Sequence, residues 1–145
     1  MKGKILAVAV LVMLAAGLLL NSRPAQASNH AVLAIDNVFA ALNSGQAERA
    51  VALFADDAIA QNLVQAETYN SPSEILQMLQ GMQREGRRLN VVAVQIDGDT
   101  ITAQVEVSDS GHVWGTETIE AKMNGDKLQS FTVVAFRLEL WRIGR

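Results

Sequence analysis

The hydrophobic positions of this chain change their spacing several times, and each change marks an element. Ile5 to Leu20 is apolar at every position except Gly17. From Val32 onward the apolar residues instead recur every three or four: Val32, Ile35, Val38, Phe39 and Leu42. That spacing predicts a helix with one buried stripe. Asn43-Ser44-Gly45 ends it, because Gly45 can take a left-handed backbone at low cost. Ala47, Ala50, Val51 and Phe54 form a second short stripe, which Asp56-Asp57 is expected to close before a strand over Ala58–Val64. Ser71-Pro72-Ser73-Glu74 is a helix start, with Ser71 as N-cap, Pro72 in the first turn and Glu74 completing a capping box. Ile75, Leu76, Leu79 and Met82 then face a core, and Gly86 stops the helix.

After Leu89 the spacing becomes two. Val92, Val94 and Ile96 alternate toward an Asp97-Gly98-Asp99 turn. Ile101, Ala103, Val105 and Val107 alternate with Thr102, Gln104 and Glu106, as in a half-buried strand. After a turn at Asp109-Ser110-Gly111, the residues Val113, Gly115, Glu117, Ile119, Ala121 and Met123 share one side of the next strand. Asn124-Gly125 is a strong hairpin signal. A long last strand runs from Lys127 to Trp141 with large apolar residues on both faces, so both are covered or a bulge kinks it. Helices followed by a strand meander give an α+β domain, with helices packed on one face of a curved sheet.

The first segment adds a compartment. Met1-Lys2-Gly3-Lys4 is basic, the apolar run has 16 positions, and Ala25-Gln26-Ala27 is a small-x-small exit. That order is a secretory signal peptide over residues 1–27, cut between Ala27 and Ser28, with a domain over 28–145. The competing reading is an uncleaved anchor, for which 16 residues fall short of the roughly 20 needed to span a bilayer. Both readings place the domain outside the cytoplasmic membrane, periplasmic or extracellular.

Charge then narrows the partners. Lys2, Lys4 and Arg23 are three of the 12 basic residues; without them 9 remain against 15 acidic ones, a net charge of −6. Such a domain is not expected to bind nucleic acid or an anionic membrane surface, since phosphate binding needs clustered cations. Arg84, Arg87 and Arg88 form the one basic cluster, read as a solvated helix C-terminus. There is no cysteine and there are two histidines, His30 and His112, which removes thiol, iron–sulfur and the usual zinc chemistry. No metal or cofactor is expected.

Two segments carry a family resemblance: Ala40-Ala41-Leu42-Asn43-Ser44-Gly45 and Val51-Ala52-Leu53-Phe54-Ala55-Asp56-Asp57-Ala58. With the capped helix from Ser71 and the Asn124-Gly125-Asp126-Lys127 turn, in this order, the chain resembles the nuclear-transport-factor-2-like superfamily, also called SnoaL-like or ketosteroid-isomerase-like. The resemblance implies a cone-shaped, cystatin-like fold, in which N-terminal helices pack on a strongly curved, mainly antiparallel sheet around a pocket. It also implies that Asp56 and Asp57 are structural, and that dimers are common among such chains.

The chemistry of the ketosteroid isomerases does not carry over. Their basic aspartate, five residues after the second Asp of that segment, corresponds to Asn62, and an amide accepts no proton at neutral pH. Their oxyanion-binding tyrosine corresponds to Val38. Their protonated aspartic acid falls near Ile119 or Glu120, and Glu120 would serve only after a one-residue shift that turns it to the other face.

The candidates left for a pocket are Asn62, Tyr69, Trp114, Glu117 and Arg137. Tyr69 and Trp114 offer an apolar body with one hydrogen-bonding tip. Glu117, on a face with Val113, Ile119 and Met123, would have a raised pKa unless it pairs with Arg137 or is exposed. Trp114 and Glu117 lie on opposite faces of an unbroken strand, so both reach one pocket only if a bulge near Gly115 intervenes. Three functions are compatible with these residues. The first is a non-catalytic binder of a small apolar or amphipathic molecule, or a dimerisation module. The second is an acid–base enzyme of the isomerase or epoxide-hydrolase-like kind using Glu117, Arg137 and Tyr69. The third is an envelope interaction module tethered by the N-terminal segment.

Overall fold

The computed structural model describes residues 29–139. The apolar segment, the Ala27–Ser28 cleavage pair and Trp141 lie outside the described residues. Among the described residues, no helix is long and apolar enough to cross a membrane.

Helix α1 occupies 29–43 and buries Ala31, Ala34, Ile35, Val38, Phe39 and Leu42. Its stripe keeps Ile35, Val38, Phe39 and Leu42 as expected and adds Ala31 and Ala34, while Val32, expected in the stripe, is only half-buried. The helix ends as its sequence predicts: Gly45 has φ +73°, and Ser44 Oγ donates to the Ala40 carbonyl. Asn43 then fixes that end to the sheet, donating to the Leu89 carbonyl at 2.7 Å and accepting from the Leu89 amide at 2.9 Å. Helix α2 is a single short stretch, Ala47–Val51.

Strand β1 begins earlier than expected, at Phe54, and runs to Asn62. Asp56 and Asp57 therefore do not close a helix; they are exposed positions inside a strand. The reason is tertiary. The Leu128 amide donates to the Leu53 carbonyl at 2.9 Å and captures this backbone for the sheet. The register then slips between Phe54↔Leu128 and Ile59↔Ser130, leaving Asp56 and Asp57 in an irregular stretch. Gln129 Nε2 ties that stretch down through the Asp57 carbonyl at 3.2 Å.

Strand β2, Glu67–Tyr69, follows a four-residue turn, and helix α3 spans Pro72–Arg84. Its cap matches the sequence signal with one difference. Ser71 Oγ accepts from the Glu74 amide, but the Glu74 carboxylate accepts from the Asn70 amide at 2.6 Å, one residue upstream of the cap. Strands β3 (Arg88–Asp97), β4 (Thr100–Asp109), β5 (His112–Asn124) and β6 (Lys127–Leu138) complete a six-stranded sheet of order β2-β1-β6-β5-β4-β3. The β1–β6 pair is parallel and all others are antiparallel.

The α+β expectation holds, and bulges make the apolar pattern consistent with one inner face. On β3 the register skips Val92, so Leu89 and Val91 face inward before it and Val94 and Ile96 after it. Val92 itself, expected on the inner face, is half exposed. On β6 the register skips Gln129 and Val134. Leu128, Phe131 and Val133 are thereby buried together despite their uneven spacing. Strand β4 has no interruption from Thr100 to Val107, and there the strict alternation of Ile101, Ala103, Val105 and Val107 is observed without correction. Phe131 lies at the centre of the core, with its ring 6.1 Å from Phe39 and 5.8 Å from Phe54.

Candidate functional site

A cavity of about 580 Å³ opens between α3 and the sheet. Met78 and Met82 of α3 and Phe131 and Val133 of β6 give it an apolar floor. Its rim is polar: Asn62 and Gln65, Glu67 and Tyr69 on β2, and Arg84, Glu85 and Arg87 where α3 ends. A smaller recess of about 110 Å³ continues from it under Trp114 and Phe136 and shares Asn62, Gln65, Arg87, Glu117 and Val133 with it.

Glu117 is the group around which this site is organised. It stands on the inner face of β5, only 6% exposed. Its Oε1 lies 3.9 Å from an Arg87 nitrogen, beyond hydrogen-bonding range. Its Oε2 is buried and has no hydrogen-bond partner among the described residues. Burial raises the Glu117 carboxyl above the ordinary carboxylate range, with Arg87 opposing the shift and Glu85 adding to it. Burial of this kind opposes the ionised form of the carboxyl.

Trp114 joins Glu117 through the bulge that the sequence required. Val107 pairs with Gly115 while Ser108 pairs with Val113, leaving Trp114 as the extra residue of β5. The indole turns to the recess, and the Glu139 amide donates to the Trp114 carbonyl at 2.9 Å. Gly115 lets Phe136 follow: a Cβ there would lie 2.3 Å from the Phe136 ring, so only a hydrogen fits. The Trp114 and Phe136 rings consequently lie 5.3 Å apart at 59°, and the Arg87 guanidinium sits 5.0 Å from the Trp114 ring centroid.

The other candidates divide. Asn62 lines both cavities, but its side chain shapes the 63–66 turn: Oδ1 accepts from the Val64 and Gln65 amides, and Nδ2 donates to Gln65 Oε1. Tyr69 is on the rim, with its hydroxyl donating to Glu67 at 2.6 Å, which pushes its pKa up to about 12. Arg137 is not in the site. It projects from the other face of β6, is largely exposed, and pairs with Glu139 at 3.2 Å. Strand alternation explains the correction, since Phe136 takes the inward position and Arg137 the outward one. Glu117 accordingly has no pairing with Arg137. Arg87, read from sequence as part of a solvated helix end, is the arginine that reaches Glu117. No spacing rule could have found it, because it lies beyond the stop of α3 and points back. Val38 is fully buried, Ile119 is buried, and Glu120 is exposed on the opposite face from Glu117. The buried carboxyl of β5, Glu117, is thus two residues from Ile119, on the same side of the strand.

The family profile described as a SnoaL-like domain matches residues 35–143. The chain belongs to the SnoaL-like family. Solved structures share its cystatin-like fold of helices on a curved mixed sheet. A polyketide cyclase candidate from Sinorhizobium meliloti superposes with TM-score 0.61 at 16% identity, covering 69% of this chain and 92% of the other. A ketosteroid isomerase candidate from Kribbella flavida gives TM-score 0.60 at 17% identity, over 72% and 76% of the two chains. An epoxide hydrolase of M. tuberculosis, described as LEH-like, gives 0.60 at 12% identity, over 79% and 86%. At these identities the likeness establishes the fold. No curated protein shows a significant match to this SnoaL-like domain.

Proposed function

We propose that this SnoaL-like domain is a non-catalytic binder of a small amphipathic molecule. One observation carries the reading: a cavity of about 580 Å³ with an apolar floor has in its wall a buried carboxyl, Glu117, one oxygen of which has no partner among the described residues. An apolar body would lie against Met78, Met82, Phe131 and Val133, and a polar group would meet Glu117 and Arg87. Small-molecule sites combine apolar walls with placed polar groups; this one has an apolar floor under a largely polar rim, which suits an amphipathic rather than a purely apolar ligand. The positions that carry isomerase chemistry elsewhere, Val38 and Asn62, are core and turn-forming here. The basic start, apolar run and small-residue exit of residues 1–27 support an exported domain.

The cavity can be closed without touching its polar groups. Gly81 lines it, and a Cβ built there meets nothing nearer than Arg84 at 3.9 Å. Gly81→Leu is expected to abolish binding of the neutral fluorescent probe N-phenyl-1-naphthylamine. It should leave stability unchanged or raised by roughly 0.5–1 kcal/mol, because it removes a glycine from a helix interior. Undiminished probe binding in Gly81→Leu would overturn the site assignment. Turnover of a substrate that disappears in Glu117→Gln would overturn the non-catalytic reading in favour of an acid–base enzyme built on Glu117 and Arg87, with Tyr69 at the rim. Intact-mass measurement of the exported protein tests the placement: retention of residues 1–27 favours a tethered module instead.

A further inference from the structure

The smaller recess has the chemistry of a cation site, and this inference rests on the binding reading above. Two aromatic rings line it, Trp114 and Phe136, packed on each other at 5.3 Å and 59°, and the Trp114 ring offers a face to a cation. A carboxyl that is 6% exposed stands in the same recess, with its Oε2 unpartnered. A positive group already occupies the place between them: the Arg87 guanidinium, 5.0 Å from the Trp114 ring centroid. Arg87 holds that place loosely. Its contact with Glu117 is 3.9 Å, whereas its Nε is 2.7 Å from Glu85, which is half exposed. The tight bond therefore lies outside the box and the loose one inside.

We propose that the box formed by Trp114, Phe136 and Glu117 binds a small organic cation, an ammonium group carrying short alkyl substituents, which displaces the Arg87 guanidinium. Arg87 remains on Glu85 and moves aside as the ligand enters, while the rest of the ligand extends along the Met78–Met82 floor. The cavity beside the box carries three carboxyl groups, Glu67, Glu85 and Glu117, against two guanidinium groups, Arg84 and Arg87, and once Arg87 is drawn to Glu85 the charge left in the recess is that of Glu117. The groups around Glu117 are Arg84 on the last turn of α3, Glu85 and Arg87 beyond it, and Glu67 and Tyr69 on β2. A bound ammonium replaces the proton that burial favours on Glu117. Binding accordingly releases a proton and strengthens as pH rises, until Glu117 is ionised in the free protein.

The test is calorimetric titration of the protein with tetramethylammonium chloride, with tert-butanol as an uncharged counterpart of similar size and sodium chloride as the ionic-strength control. Tetramethylammonium is expected to bind at least tenfold more tightly than tert-butanol, and sodium chloride to give no saturable heat. Trp114→Leu should weaken binding by roughly threefold to thirtyfold. Glu117→Gln, close to isosteric, should weaken it at least tenfold and remove the pH dependence. Arg87→Ala should strengthen it severalfold, because the internal occupant is gone. Equal binding in Glu117→Gln, weaker binding in Arg87→Ala, or no tetramethylammonium binding in either Arg87→Ala or the unmodified protein would each overturn the proposal. N-phenyl-1-naphthylamine separates the two readings. If this probe still binds while tetramethylammonium does not, only the cation site fails; if neither binds, the small-molecule reading fails with it.

Discussion

Two buried glutamates of this sheet each stand beside an arginine, and their settings differ. Glu139, just past the end of β6, hydrogen-bonds Arg137 at 3.2 Å, and its backbone amide bonds the Trp114 carbonyl. Glu117, in the middle of β5, has its arginine at 3.9 Å and one oxygen without a partner among the described residues. Exposure is nearly the same, 8% against 6%. What separates them is the face of the sheet. Arg137 is a local partner two residues from Glu139 and closes a pair at the strand's end. Arg87 arrives from a distant turn, divides its charge between Glu85 and the Trp114 ring, and leaves Glu117 incompletely satisfied. The sheet gives one carboxylate a neighbouring arginine and leaves the other short of a partner beside a cavity, and the proposed binding role rests on that second group. An unpartnered buried polar atom is unfavourable by about 1–3 kcal/mol.

Gly115 lies between these two environments, opposite Leu138 in the register. The largest expected effect therefore comes from Gly115→Val. Its side chain would push the Phe136 ring aside, costing about 2–3 kcal/mol in urea denaturation and opening the recess around Glu117.

Glu117→Met removes the open carboxyl and leaves Arg87 on Glu85. At pH 7 it should raise stability by about 1–2 kcal/mol, as when buried ionisable groups are replaced by apolar ones. The pH profile sharpens this further. Burial raises the Glu117 carboxyl above its ordinary 4.5, so above that pH the native state retains a proton the unfolded chain has lost. Its contribution to stability consequently falls as pH rises from 4.5 through the folded value, and Glu117→Met should remove that slope. A slope unchanged in the variant would place the titration on another group.

Asn62→Ala should cost about 1 kcal/mol by releasing the 63–66 turn, with binding altered through Val64 and Gln65 and through the loss of the Asn62 side chain from the lining. Glu139→Gln tests the other member of the comparison. Arg137 is largely exposed, so the loss should be roughly 0.2–1 kcal/mol and should diminish in salt. A cost exceeding that of Gly115→Val would reverse the contrast drawn between the two glutamates. The smallest effect on stability belongs to Glu67→Gln, within roughly 0.5 kcal/mol. Because Tyr69 is the only tyrosine of the chain, the ultraviolet titration of the phenol reports on it alone. Its midpoint should drop from about 12 part of the way toward the ordinary 10.0, because the glutamine oxygen can still accept the hydrogen but no longer carries the charge that opposes the phenolate.

The elements that could be read from sequence are those whose determinants are local. Ser71 and Pro72 start α3 because a cap and a fixed φ act within one turn. The β4 alternation was legible because an uninterrupted strand keeps a strict period of two. Phe54-Ala55-Asp56-Asp57 was misread as a helix end because its local pattern continues the α2 stripe, whereas hydrogen bonds to residues more than seventy positions away draw it into β1. Among the site candidates, Glu117, Trp114, Tyr69 and Asn62 do converge on one region, and Arg137 does not.

The sequence by itself determined the class of fold, the inner faces of its regular strands, the absence of thiol chemistry and the silence of Val38 and Asn62, because each depends on residue type and short-range spacing. The tertiary structure decided the rest. Whether Val92 or Val91 faces inward, whether Trp114 joins Glu117, and which arginine reaches that carboxyl all depend on bulges and on a turn folding back from α3. A bulge changes the face of every later residue on its strand, and its position is set by the pairing partner across the sheet.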